Sequence, residues 1–259
     1  PEKPVTVRDM QAMMRDHFEG TPLDMTTDIG AGPYAVPYRW RPLTYQVDSV
    51  EYTHERAIAT QQTGFSFVSQ MNSARPRAMK GILWFGVDDA NTCVYVPVFN
   101  GSTAVPHEFA VGNGDLYNLS WESAFWINNY VANQAYYRYS QMIPDIRRVQ
   151  NAIEDTFEAE MPDLEKEIAA MNAGDAASRL NDYTASRTTD YTRRYKALGD
   201  YLFVKYMDGN VKREKNGEFE RTPEGMPEYP MFPGYDERYY RSIAKDPSGG
   251  ERLKSLIIK

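Results

Sequence analysis

The chain has 259 residues, enough to bury a substantial core as one large domain or as a domain with a helical appendage. Its net charge of −7 argues against a general nucleic-acid binder, which needs a basic face, and it has no stretch of about 18 apolar residues to cross a membrane. The single cysteine excludes an intrachain disulfide and leaves the compartment unread.

Thr6-Val7-Arg8-Asp9 has the spacing of a capping box, so a first helix is expected over about residues 7–17, with Val7, Met10, Met13, Met14 and Phe18 as its buried stripe. Glycines and prolines then make the chain loop-rich to about residue 48. Within this stretch Arg39-Trp40-Arg41-Pro42 reads either as a cationic and aromatic platform for a ligand or as a tryptophan plugging the core. Residues 55–71 carry the most informative pattern, a basic and amide-rich segment running into a strand. In that strand Phe65, Phe67 and Ser69 point one way and Ser66, Val68 and Gln70 the other. Apolar runs at 81–87 and 93–98, joined by Asp88-Asp89-Ala90-Asn91-Thr92, predict an antiparallel hairpin. Glycine and Pro106 mark a loop over 102–119, and Ser120 then caps an aromatic-rich helix over 121–139 that places Asn128, Asn129 and Asn133 close together.

Pro144 suits the first turn of a further helix with Ile146, Val149, Ile153 and Phe157 at helical spacing, interrupted or kinked at Pro162. Asn172-Ala173-Gly174-Asp175 stops it, and a partner helix over 176–207 completes a helical hairpin. From residue 208 the composition turns to glycine, proline and tyrosine, as in a segment wrapped along the body or along a partner. The organisation expected is a sheet-containing part over 1–119, a helical region over 120–207 and a wrapping tail over 208–259.

Candidate chemistry is sparse. His17, His54 and His107 stand apart without metal-ligand spacing, so no metal and no cofactor is expected. Cys93 reads as a nucleophile only if a base adjoins it, and otherwise as a small buried hydrophobe of its strand. Asp88 and Asp89 form a carboxylate pair, at a turn where aspartate also serves local backbone hydrogen bonds.

The runs at 55–71, 81–87 and 93–98, with Arg15-Asp16-His17-Phe18-Glu19-Gly20-Thr21, Arg39-Trp40-Arg41-Pro42 and Ser123-Ala124-Phe125-Trp126-Ile127-Asn128-Asn129, resemble the C69 (formerly U34) dipeptidases of the N-terminal-nucleophile hydrolases over residues 8–145. The resemblance implies an α+β chain, part of an αββα fold. It also implies a cysteine exposed as residue one of the mature enzyme, with its own α-amino group as base. Arg56 resembles in placement an arginine kept near the thiolate, where it would also meet the substrate's carboxylate; an ion pair with Glu51 or Glu55 is the other reading. Thr60, Gln62 and Trp40 are the substrate-binding candidates. The sequence starts at Pro1 without such a cysteine, so it is expected to be the C-terminal part of a longer dipeptidase, or else a relative that lost activity. The partners expected are a dipeptide substrate and the missing N-terminal segment of the same protein, with a homo-oligomer compatible and neither nucleic acid nor membrane. The alternative is a nonenzymatic protein-interaction module.

Overall fold

The computed structural model describes residues 3–247. The chain is α+β. In order its elements are α1 (Val7–Met14), β1 (Thr44–Val47), β2 (Val50–Thr53), β3 (Phe65–Met71), β4 (Gly81–Val87), β5 (Val96–Phe99), α2 (Ala124–Ala135), α3 (Tyr139–Ala169), α4 (Ala173–Tyr206), β6 (Glu214–Lys215), β7 (Glu218–Phe219) and α5 (Glu237–Lys245). Every strand pairing is antiparallel, in three separate sheets of order β1-β2, β3-β4-β5 and β6-β7. No helix among the described residues is long and apolar enough to cross a membrane.

Contacts divide the chain into two units, one of Pro1–His17, Arg56–Asn133 and Ile143–Gly199, the other of Phe18–Glu55, Gln134–Met142 and Asp200–Lys259. These do not coincide with the stretches 1–119, 120–207 and 208–259 read from composition. Composition follows the exposure of each stretch, whereas the units follow which stretches pack on one another.

In the first unit the capping box forms, with the Thr6 hydroxyl accepting from the Asp9 amide and the Asp9 carboxylate accepting from the Thr6 amide. The helix ends at Met14, short of residue 17, and it does not bury the methionine stripe. Met10 and Met13 are 39% and 51% exposed. Arg8, Gln11 and Arg15 form the inward face instead, because Glu154, only 1% exposed on α3, must be paired. Arg8 Nη1 and Arg15 Nη2 each lie 2.6 Å from its carboxylate, and the Tyr95 amide donates to it at 2.9 Å.

The expected hairpin forms between β4 and β5, but its second strand starts only at Val96. The chain from Asp88 to Tyr95 leaves the ladder because the long helices take its backbone groups. Gln150 donates to the Cys93 carbonyl at 2.6 Å, Arg147 to that of Asn91, and the Tyr195 hydroxyl to that of Thr92 at 2.7 Å. Gly86 is required here, since a Cβ would lie 2.6 Å from the Cys93 sulfur.

Period-two alternation splits the sheet into two different faces. Ser66, Val68, Ile82, Trp84 and Phe99 are buried, while Phe65, Phe67 and Met71 on the opposite side are 61%, 48% and 79% exposed. Phe85, across from Phe67 on that side, touches Phe65 and packs at a steep angle on Phe109, and Val96, across from Phe85, is fully buried.

The helix expected over 121–139 is the shorter α2. Neither proline acts as expected: α3 begins five residues before Pro144 and runs unbroken through Pro162. Buried Phe157, Met161, Leu164 and Ile168 recur at helical spacing on both sides of Pro162, and this packing offsets the hydrogen bond that proline removes. Within the unit α3 lies antiparallel to α4, with Glu160 bonded to Tyr183 and Arg187 and Glu167 to Arg179. Ile153 is fully buried, so Ile153→Val should cost about 0.5–1.5 kcal/mol, whereas Lys166→Ala on the solvated face should cost under about 0.5 kcal/mol. Equal shifts in a denaturant titration would show the stripes to be misplaced.

The second unit departs most from expectation. The loop-rich stretch contains the β1-β2 hairpin, with Tyr45 and Tyr52 stacked at 5.5 Å. The tail carries β6, β7 and α5 and packs along its unit, while its residues 248–259 lie outside the described residues. The Asp236 amide donates to the Pro33 carbonyl at 3.2 Å, Arg238 to the Thr26 carbonyl at 2.7 Å, and Tyr235 meets Tyr34 edge-on.

Candidate functional site

The site is built at the end of the three-stranded sheet where β3 begins and β4 stops. Phe65 pairs with Val87, and beyond that pair the Asp88 amide donates to the Gly64 carbonyl at 2.9 Å. Two loops therefore leave side by side, residues 54–64 and the turn after β4. The first is pinned by the Ala59 amide on the Asp16 carbonyl at 3.0 Å. It tightens at Thr60, whose carbonyl accepts both the amide and the hydroxyl of Thr63.

From this turn one chain of side-chain amides runs inward. Gln61 Nε2 donates to Asn133 Oδ1 at 3.0 Å, Asn133 Nδ2 to Asn129 Oδ1 at 2.8 Å, and Asn129 Nδ2 to Asp88 Oδ1 at 3.1 Å. Asn129 and Asn133 stand one helical turn apart on α2, the spacing that lets them bond each other. Asp88 Oδ2 and Gln61 Oε1 are buried without a partner among the described residues.

The two aspartates behave differently. Asp89 accepts from the amide and hydroxyl of Thr92 at 3.1 and 2.8 Å, as a turn aspartate should. Asp88 sits in the left-handed region at φ 71° and is almost wholly buried. Burial pushes its carboxyl up to about 7; the Asn129 hydrogen bond opposes this, the charge of Asp89 adds to it, and a hydrogen bond from the Asp89 backbone again opposes it. A buried carboxylate with one oxygen unpartnered and no cation beside it among the described residues, in a left-handed turn, reads as a functional feature.

Arg56 is exposed at the head of the first loop. Among the described residues neither Glu51 nor Glu55 is in ion-pair reach of it, and Glu55 instead lies 4.0 Å from Arg39. Thr60 is half-buried and Gln62 exposed in the same loop, so these three expected residues share a unit. Trp40 belongs to the other unit, where it is 62% exposed and packs edge-on against Tyr38 at 5.2 Å, a ring presented to solvent and not a core plug. Sequence reasoning put Gln61 with Arg56, Thr60 and Gln62 where the sheet opens but chose its neighbour Gln62 for the substrate, and it noted the asparagines of α2 without assigning them a site. Their four-residue spacing was the available signal.

Cys93 is fully buried, its thiol donates to the Ala90 carbonyl at 3.7 Å, and burial pushes it up to about 12. That thiol is a core group and no nucleophile. Among the described residues no three His, Cys, Asp or Glu side chains gather as a metal site.

Compared with known families, the chain falls among peptidases: the model of peptidase family C69 matches residues 1–152, more than half of the length. The chain belongs to peptidase family C69. No curated protein matches it.

Proposed function

We propose that these residues form the C-terminal portion of a cysteine-type dipeptidase with the αββα N-terminal-nucleophile fold, whose attacking thiol is an N-terminal cysteine carried outside them. The observation that carries the reading is the exposed apolar face of the edge strand β3, where Phe65, Phe67 and Met71 are open to solvent. An apolar sheet face of this kind needs a facing layer, and a second sheet supplied by the remaining segment would cover it. Buried Cys93 supports the same reading, since it leaves the reaction without a thiol from this chain.

In the complete enzyme the N-terminal thiol passes its proton to its own α-amino group and attacks the scissile carbonyl, and water then releases the acyl group. Arg56, exposed and without a carboxylate partner among the described residues, holds the thiolate and the substrate's carboxylate end. Thr60 and Gln62 line the approach in the same loop.

The test is a dipeptide-hydrolysis assay. The 259-residue chain should be inactive with fresh reductant, and a polypeptide that adds the upstream cysteine-bearing segment should be active. In the latter Arg56→Lys should lower kcat/KM by about tenfold or more, equivalent to about 1.4 kcal/mol or more of transition-state stabilisation. Turnover by the 259-residue chain that Cys93→Ala abolishes would overturn the assignment. The exposed rings of Tyr229 and Phe232 favour a second reading, a nonenzymatic interaction module or inactive homologue, and it predicts no turnover from either polypeptide.

A further inference from the structure

The amide relay has an imbalance that points to a ligand. Each donor in it runs the same way, from Gln61 through Asn133 and Asn129 to Asp88, so an acceptor oxygen is left over at both ends. Gln61 Oε1 and Asp88 Oδ2 are both buried, and a buried acceptor without a donor costs stability that an apolar residue would not. At position 88 asparagine would keep the local hydrogen bonding and tolerate the left-handed conformation while shedding the buried charge. The fold therefore does not account for aspartate there, and a cationic donor group does.

We propose that Asp88 receives the free α-ammonium of an unblocked peptide substrate, so that it is a specificity-determining residue; this rests on the peptidase reading above. A primary ammonium brings a positive charge and N–H donors, which meets the carboxylate oxygen that the relay leaves over. Gly64, whose carbonyl holds the Asp88 amide, has open space where a side chain would stand, with nothing within 4 Å of a Cβ built there. Asn129 is half-buried and Asn133 exposed, so the relay reaches from the surface to the carboxylate. An enzyme that cuts only short peptides must sense a terminus, and a carboxylate fixed beside the loop that carries Arg56 does so. A blocked amine offers neither the charge nor the donors.

The experiment uses alanyl-alanine and N-acetyl-alanyl-alanine as probes, with calorimetric titration of the 259-residue chain and of its Asp88→Asn variant at pH 8. The wild type should bind the unblocked peptide at least tenfold more tightly than the acetylated one. Asp88→Asn should erase that preference while its melting temperature holds or rises. Equal affinity for the two probes in the wild type, or a preference that survives Asp88→Asn, overturns the proposal. Because binding is read without turnover, an inactive cysteine-bearing polypeptide alongside a preserved preference would instead count against the dipeptidase reading alone.

Discussion

Glu154→Ala is expected to cost about 3–5 kcal/mol of folding stability, more than any surface substitution in the chain. The carboxylate is buried between Arg8 and Arg15 and also accepts the Tyr95 amide, so its loss leaves the side chain of Arg15, 10% exposed, without a counter-charge and one backbone donor without an acceptor. Glu154→Gln keeps an acceptor but not the charge and should fall between the wild type and the alanine variant. Asp190→Ala serves as control, because its ion pair with Arg193 is solvent-exposed and should be worth under about 1 kcal/mol. Urea titrations of the three variants decide the matter, and a Glu154→Ala loss no larger than the control's would refute the account of the first helix's polar inward face.

Asp88→Asn should do the opposite and stabilise the protein at alkaline pH. The Asp88 carboxyl has an ordinary value of 3.8 and is raised to about 7 in the fold, so the folded chain holds its proton more tightly than the unfolded chain does. Asp88 therefore adds no penalty below about pH 4. Its penalty grows as pH rises through the window from about 4 to about 7, and it is complete above that. A rise from 3.8 to about 7 corresponds to roughly 4 kcal/mol at most, set first by burial, with the charge of Asp89 adding repulsion and Asn129 a compensating hydrogen bond. The difference between variant and wild type, measured by denaturant titration, should be near zero at pH 4 and favour the variant by a few kcal/mol at pH 8. A variant less stable than wild type at pH 8 would mean that the carboxylate is structural.

Much of the fold was legible where the signal is local. The capping box at Thr6, the strand at 65–71 and the antiparallel helix pair rest on spacings within a few residues, and they formed. The inward face of α1 was not legible because it is decided by Glu154, far along the chain, and nothing near Arg8 announces a buried carboxylate. The β1-β2 hairpin was hidden for another reason. Its turn places Asp48 and Ser49 at φ 49° and 64° with no glycine to mark it. At the site the loop 54–64 stood out by composition, but choosing Gln61 over Gln62 required knowing which way the turn faces. Asp88 and Asp89 are the same letter twice, and only their hydrogen bonds separate the turn former from the buried charge.

The buried pair of Arg8 and Glu154 also bears on how the molecule is made. These residues are 146 positions apart, and Tyr195 reaches the Thr92 carbonyl across 103. At roughly 5–20 residues per second of synthesis, Arg8 waits about 7–30 s for its counter-charge to be polymerised. Strands β3 to β5 can pair during that interval, since their partners are close in sequence, but the α3 and α4 side chains that hold the turn after β4 have not yet been made. Both faces of the nascent sheet are then uncovered, and the pace of translation through α3 and α4 sets how long it stays open to self-association.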